Sequence, residues 1–325
     1  MRHHFVRPDE IARRGITPVE VVAIIIILLL LLSIVLPAML TTRISSRGFE
    51  CANNLKALAL ATTGFATSQG GKIPLLSEPA PGLASDINCI WTVQLLPFRD
   101  NAGAIEYITE QKTPKEAEVA LGHVLEATFK ALQCPLDPNR FRQPGALSYG
   151  ANIGYGAWRG TPQGVTTDYD FRAVDHSAAA IDWNHNGKLD TIDKDVARAT
   201  GVFWFADEDD FRLTLDDIMN GDGTGQTILF AETMNLPLMH LAGSVKNGHN
   251  PAALDAGIGL GYKALGLKTS TKPNLLLDRA AKATPEYQQY FAPNTNHGTS
   301  AGKWPAASSA HSGGVNVVYA DGHVG

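Results

Sequence analysis

Arg14-Gly15-Ile16-Thr17-Pro18-Val19-Glu20, followed without a break by VVAIIIILLLLLSIVLPAML (residues 21–40), is the stretch that decides the fold. From Val19 to Leu40 the chain is apolar almost throughout, and Glu20, Ser33 and Pro37 are the exceptions. About 20 apolar residues span the roughly 30 Å hydrocarbon core of a bilayer, so the run predicts one membrane-spanning helix over residues 16–40. The flank before it carries Arg2, Arg7, Arg13 and Arg14 beside Asp9 and Glu10. Basic residues stay on the cytoplasmic side, which places the rest of the chain outside. A cleaved secretory signal would need a short apolar core and a small-x-small box; Ser33 to Ala38 offers none. A carboxylate in such a helix costs on the order of 3 kcal/mol near the bilayer centre and less near the interface. A plain signal anchor has no use for Glu20, so its presence points to a partner.

Beyond Leu40, Arg43, Arg47 and Glu50 mark the exit from hydrocarbon. Ile44, Ala52, Leu55, Leu58, Ala59, Phe65 and Ala66 then recur at helical spacing, with Thr62 on the same stripe and Asn53, Asn54 and Lys56 off it. The pattern predicts an amphipathic continuation over residues 41–70, fading at Ser68-Gln69-Gly70-Gly71. The result is one helix of roughly 50 residues, about 75 Å long at 1.5 Å per residue. Pro37 should either kink this helix or mark the end of the membrane span.

At residues 14–20 the sequence resembles the class III signal of type IV pilins and type II secretion pseudopilins. That resemblance implies a leader, residues 1–15, removed by a prepilin peptidase between Gly15 and Ile16, with methylation of the new N-terminal Ile16. Glu20 becomes the fifth residue of the mature chain. In the family this carboxylate pairs with the α-amino group of a neighbouring subunit during assembly, which offsets its burial by charge pairing. Ile16 stands where Phe or Met is usual, and Pro18 where Leu is common. Proline is tolerated in a first helical turn.

Downstream motifs resemble the large pilin-like DUF1559 family abundant in planctomycetes. Cys51-Ala52-Asn53-Asn54-Leu55-Lys56 is similar to its C-x-N-N-L-K segment, and Trp91-Thr92-Val93-Gln94-Leu95-Leu96-Pro97-Phe98 to its W-x-x-x-L-L-P-[YF]. Cys134-Pro135-Leu136-Asp137-Pro138 resembles C-P-x-D-P, and Ser148-Tyr149-Gly150-Ala151-Asn152 resembles S-Y-x-x-N. Asp222-Gly223-Thr224 with Thr227-Ile228 and Glu232 resembles D-G-x-S-N-T-I-x-x-x-E, with Gly225-Gln226 in place of Ser-Asn. His311, nine residues, then Asp321-Gly322 fits the family's C-terminal H-x9-D-G signature. A straight strand at about 3.3 Å per residue would hold His311 and Asp321 roughly 30 Å apart. The motif therefore reads as structural, with Asp321-Gly322 as a turn and His323-Val324 starting a return strand.

The sharpest chemical motif is Asp182-Trp183-Asn184-His185-Asn186-Gly187-Lys188-Leu189-Asp190-Thr191-Ile192-Asp193. It has EF-hand spacing, with oxygen ligands from Asp182, Asn184, Asn186, Asp190 and Asp193, the backbone carbonyl of Lys188, and Gly187 for the sharp turn. Ending in Asp, it is similar to dockerin-type loops. Few charged ligands suit a weak Ca2+ site in extracytoplasmic calcium; the alternative is an Asp/Asn-rich turn without metal. Asn220-Gly221-Asp222-Gly223-Thr224-Gly225 is a second polar turn, and Asp207-Glu208-Asp209-Asp210 reads as a solvated loop.

The 325 residues, 44% hydrophobic, suffice for one large domain or two small ones. A net charge of −5 with no basic cluster beyond the leader argues against a nucleic-acid partner. No Walker loop or H-E-x-x-H is present, and the histidines are scattered, so no enzyme is expected. Cys51, Cys89 and Cys134 lack C-x-x-C spacing and allow one bridge in any pairing, or none. The expected fold is α+β: the long N-terminal helix packed on an antiparallel sheet, with residues 71–325 as an extracytoplasmic globular domain. Strand-like runs are Cys89–Leu96, Gly201–Phe205, Thr227–Ala231 and Val315–Tyr319. Residues 103–133 have helical character, and 240–300 read as loops. The expected protein is an inner-membrane, single-pass filament subunit whose partners are prepilin peptidase, inner-membrane lipid, and copies of itself or other pilin-like subunits. An anchored binding module and a tethered enzyme are the alternatives.

Overall fold

The computed structural model describes residues 17–79, 87–99, 101–158, 174–175, 190–204, 211–234, 236, 238–239, 244–246, 257–262, 307–311 and 314–325. Gly15, Ile16, Asp182, Asn184, Asn186 and Lys188 lie outside them. The chain divides into two compact units, Met1–Ser46 and Arg47–Gly325.

The first helix, α1 (Pro18–Ser68), starts at a capping box. Thr17 Oγ1 accepts from Glu20 N–H at 3.4 Å, and Glu20 Oε2 accepts from Thr17 N–H at 2.8 Å. Thr17 Oγ1 lies a further 3.0 Å from the same oxygen. Pro18 then occupies the first helical position, where its missing N–H is not needed. In the first unit the apolar side chains are bare: Val19 is 77% exposed and Ile34 70%, and Ile24–Leu32 are exposed throughout. Among the described residues no helix is long and apolar enough to cross a membrane; the described side chains of this stretch stop at Ile34, while the apolar sequence continues to Leu40. The helix runs on through Pro37.

In the second unit most of the predicted stripe is buried: Leu55, Leu58, Ala59, Phe65 and Ala66, and Thr62, whose hydroxyl donates to Leu58 O at 3.0 Å. Ala52 is only half-buried, and Cys51, which the stripe did not include, is buried beside it. Truncating a residue such as Leu58 to Ala costs about 2–5 kcal/mol. The helix stops where expected: Gly70 takes φ 66°, and Gly71 N–H donates to Ala66 O at 2.7 Å, the six-to-one bond of a Schellman stop.

Strand β1 (Ser77–Pro79) pairs antiparallel with β2 (Ile87–Ile90). Trp91–Leu96 is then helical, as α2 (Trp91–Leu95) and a 3-10 turn, rather than the continuation of a strand. Trp91-Thr92-Val93-Gln94-Leu95 alternates apolar and polar residues as a strand does, yet Thr92 and Gln94 are buried with their neighbours, so the alternation does not mark two faces of a sheet. Helices α3 (Ala102–Thr109) and α4 (Pro114–Leu125) follow in the segment expected to be helical. The α4 start is a second capping box, Thr113 with Glu116.

The five-stranded sheet is built on β3 (Tyr149–Trp158). It carries β4 (Val174–Asp175), β5 (Ile228–Glu232) and β8 (Val317–Tyr319) in the order β4-β3-β5-β8, all antiparallel. Two further helices, α5 (Thr191–Arg198) and α6 (Leu215–Asn220), lie between β4 and β5 in sequence. β6 (Ser244–Lys246) adds to β2, and β7 (Gly257–Tyr262) pairs parallel to β3, so this sheet is mixed where an antiparallel one is expected. Gly201–Trp204 is not a strand. It is buried irregular chain, with Val202 and Phe203 N–H both donating to Asn152 O at 3.1 and 2.9 Å. At this crossing a Cβ on Gly154 (φ 64°) would lie 2.6 Å from Gly201 N, and one on Gly201 would lie 2.6 Å from Gly154 N. Only glycine fits on both sides. Trp91, Phe203 and Phe230 meet in the core with ring centroids 5.0–6.1 Å apart.

Candidate functional site

Cys51, on the buried face of α1, is bonded to Cys134, which opens the Cys-Pro-Leu-Asp-Pro turn. Cys89 is the free cysteine; it is fully buried, its sulfur accepts from Gln94 Nε2 at 3.5 Å, and burial pushes its thiol pKa up. Composition left this pairing open. A signal for it existed: Cys51 and Cys134 each sit in one of the quoted motifs, and Cys89 sits in none.

Against the disulfide lies a buried carboxylate–imidazole pair. Glu232, last residue of β5, is 2% exposed. Because Ala231 pairs with Val317 in the β5–β8 register, Asn316 falls opposite Glu232. Asn316 N–H donates to Glu232 Oε2 at 3.1 Å and Asn316 Nδ2 to Oε1 at 3.0 Å. His311 Nε2 is 2.9 Å from Oε1 and 3.7 Å from Cys134 Sγ. Among the described residues, Cys51, Cys134, Glu232 and His311 each bring one potential ligand atom within 4.8 Å of the others.

The remaining motif residues are knitted to the same region. Asn54 Nδ2 donates to Gln133 O and to the Tyr149 hydroxyl, at 3.2 and 3.3 Å. Burial raises the Tyr149 phenol pKa. Asp137 Oδ1 accepts from Asn139 and Arg140 N–H at 3.0 and 3.2 Å, which closes the turn, and its Oδ2 accepts from Ser148 Oγ at 3.1 Å. Burial raises the Asp137 pKa, against the lowering effect of these hydrogen bonds. Asn152 Oδ1 accepts from Gly154 N–H and its Nδ2 donates to Ile228 O. Thus five sequence segments that look unrelated in position cross-brace one another around a disulfide. These contacts are satisfied, buried and mutual, the signature of a structural network.

The C-terminal signature splits between two places. His311 joins Glu232, while Asp321 sits in an exposed turn and pairs with His323, Oδ1 to Nδ1 at 2.6 Å. The His323 backbone N–H, then its ring, hold the Asp321 carboxyl below its ordinary pKa. Gly322 at φ 87° turns the chain, and Val324 bridges back to Val318. Asp321 N–H and Ala320 N–H donate to Thr224 O and Thr227 O, so the two Asp-Gly motifs pack on each other.

Of the residues expected to bind calcium, Asp190 and Asp193 fall within the described chain. Asp190 precedes α5 and its Oδ1 accepts from Ile192 N–H at 2.9 Å, a helix-capping contact. Asp193 lies in α5, and its side chain is outside the described set. Beside α5 opens a cavity of about 530 Å³ lined by Asn152, Asp195, Arg198, Phe211, Asp217 and Asp222, among others. The Arg198 guanidinium covers the Phe211 ring at 4.2 Å.

The described fold and site define a disulfide-braced domain of helices and small sheets, with motif residues from five segments cross-linked around the bond. Residues 41–325 match the family described as Protein of unknown function (DUF1559), and the chain belongs to that family. No curated protein and no solved structure matches the chain. The match begins after the apolar run, so it does not bear on residues 1–40.

Proposed function

We propose that the chain is a non-enzymatic structural subunit of a type IV pilus-like or type II secretion pseudopilus-like filament. In this reading prepilin peptidase cuts after Gly15, Ile16 is methylated, and the apolar part of α1 sits in the inner membrane. The N-terminus is cytoplasmic, and the globular unit is periplasmic until assembly carries it to the cell surface. One observation carries the reading: a single helix, α1, bares apolar side chains from Val19 to Ile34 and buries its other end, Cys51 to Ala66, in a domain core. A bare apolar face of that length needs lipid or neighbouring helices around it. Mass spectrometry of the native membrane-derived chain tests it. A mature N-terminus at methylated Ile16 is expected; an intact Met1 or a cut near Ala38 overturns it. We also propose Ca2+ at residues 182–193, supported by the ligand spacing.

A second reading, a permanently anchored binding module, is favoured by the Thr17–Glu20 capping box. That contact gives Glu20 a local use without a partner subunit. The cavity beside α5 would then be the binding feature.

A further inference from the structure

The four side chains at the disulfide form a set that a disulfide alone does not require. Two sulfurs, an imidazole nitrogen and a carboxylate oxygen lie within 4.8 Å of one another. A tetrahedral zinc ion bound at about 2.3 Å to sulfur and about 2.0–2.1 Å to nitrogen or oxygen spaces its ligand atoms roughly 3.3–3.8 Å apart. The His311 to Cys134 separation, 3.7 Å, already has that value, and the His311 to Glu232 separation, 2.9 Å, is slightly tighter. Only the two sulfurs stand much too close, because they are bonded to each other.

We propose that in the dithiol form of the chain Cys51, Cys134, His311 and Glu232 hold one Zn2+. The donor set is suited to a borderline-soft cation and unsuited to calcium or magnesium, which take oxygen ligands. The surroundings are those of a closed structural site: Cys51 is 0%, Glu232 2% and Cys134 4% exposed. Asn316 fixes both oxygens of the Glu232 carboxylate, as an outer-shell partner does for a metal ligand. The ion would join α1, the Cys134 turn, the end of β5 and the segment leading to β8. The disulfide joins only the first two.

The two states exchange with simple balance. Binding releases the two thiol protons: two R–SH and Zn2+ give Zn(S–R)2 and two H+. A disulfide oxidant R′–S–S–R′ then takes two electrons from the thiolates. The R–S–S–R bond forms, R′–S–S–R′ and two H+ become two R′–SH, and Zn2+ leaves. The chain could therefore hold this corner together before oxidation as well as after it. The inference stands on the geometry of the second unit and is independent of the filament reading.

The test uses the full chain in detergent micelles without oxygen, its disulfide reduced by a trialkylphosphine, which is itself oxidised to the phosphine oxide. Zn2+ is titrated against a chromophoric chelator, Co2+ serves as the spectroscopic stand-in, and circular dichroism follows the fold. One Zn2+ per chain is expected, with thiolate-to-Co2+ charge-transfer bands and a tetrahedral d–d spectrum. Changing an outer-shell group costs about 10–100-fold in metal affinity, so loss of a ligand in His311→Ala or Glu232→Gln should weaken binding at least about tenfold. Cys89→Ala should bind as the parent does. Because His311→Ala also removes packing, Glu232→Gln gives the cleaner reading. No zinc bound by the reduced, folded chain overturns the proposal. So does an affinity equal to the parent's in both ligand variants, which would reduce the site to two adventitious thiols. A reduced chain that stays unfolded with and without zinc overturns it as well.

Discussion

His311 Nε2 sits 2.9 Å from Oε1 of Glu232, a residue 79 positions earlier in the chain. The carboxylate is 2% exposed and also takes both donors of Asn316. Removing it leaves an imidazole, an amide and a backbone N–H without their acceptor. Glu232→Ala should lower the unfolding free energy by about 3–5 kcal/mol, the cost of breaking a buried pair. Glu232→Gln keeps one oxygen and should lose about 1–3 kcal/mol. Urea denaturation of the full chain in detergent measures both, and equal losses would contradict this account.

The Cys51–Cys134 bond closes a loop with a sequence separation of 83. Cys51→Ser with Cys134→Ser should cost about 2–5 kcal/mol. Thiol titration should find no reactive cysteine in the folded chain and one, Cys89, after denaturation. Two or three reactive thiols in the denatured, unreduced chain would show that the bond is absent.

These contacts show where sequence reading stops. α1 was legible because a helical period and a Gly-Gly stop are local signals, and Leu55, Leu58, Ala59 and Phe65 fell on the face that is buried. Trp91–Leu96 was not, since its apolar–polar alternation imitates a strand while Thr92 and Gln94 are buried along with the rest. Gly201–Phe205 reads as a strand by composition, but the Val202 and Phe203 N–H groups converge on a single carbonyl, Asn152 O, at the Gly154 crossing. The Glu232–His311 contact depends on β5 lying beside β8, which no local pattern encodes.

Gly154 and Gly201 should each resist substitution. Gly154→Ala meets both a φ of 64° and the Gly201 backbone at 2.6 Å. A loss of about 2–4 kcal/mol is expected from strain plus overpacking. Gly201→Ala carries the clash without the φ penalty and should lose less. Gly223→Ala, at φ 88° with no atom within 4 Å, isolates the conformational part. Thermal melts of the three variants should rank 154, 201, 223 from most to least destabilised.

Two aspartates should give opposite pH dependences. Burial holds the Asp137 pKa above its unfolded value, so its folded form binds the proton more tightly. Its contribution is therefore fullest at pH below the ordinary carboxylate range and falls as pH rises through the raised folded pKa. Asp137→Asn should remove that fall and, by keeping an acceptor for Asn139 and Arg140, be better tolerated at neutral pH than Asp137→Ala. Asp321 is depressed; its contribution is present above the unfolded pKa and is lost as pH falls through the folded one. Stability profiles of Asp137→Asn and Asp321→Asn against the parent should diverge in opposite directions.

For the proposed calcium site, chelation should lower the melting temperature of the parent chain, and Asp182→Ala should abolish the response. An unchanged melting temperature on chelation would remove the site.

Glu20 separates the two functional readings, because its carboxylate has two possible uses that one substitution tells apart. Glutamine serves the reciprocal role in a capping box about as well as glutamate, so Glu20→Gln keeps the contact to Thr17 and deletes the charge. Thr17→Ala does the reverse, removing the cap at about 0.5–2 kcal/mol of helix stability while leaving the carboxylate. If Glu20 pairs with the amino terminus of a neighbouring subunit, Glu20→Gln abolishes sheared filaments, while membrane level, processing at Ile16 and helicity stay at parent values. Thr17→Ala then still assembles. If Glu20 is only a cap, Glu20→Gln behaves as the parent in every assay and Thr17→Ala alone loses helicity, which sinks the assembly role and leaves the anchored module. The departures at Ile16 and Pro18 have the same division. Pro18 suits a capped first turn, so Pro18→Leu should leave processing intact if the peptidase reads Gly15 and Glu20, as the filament reading requires.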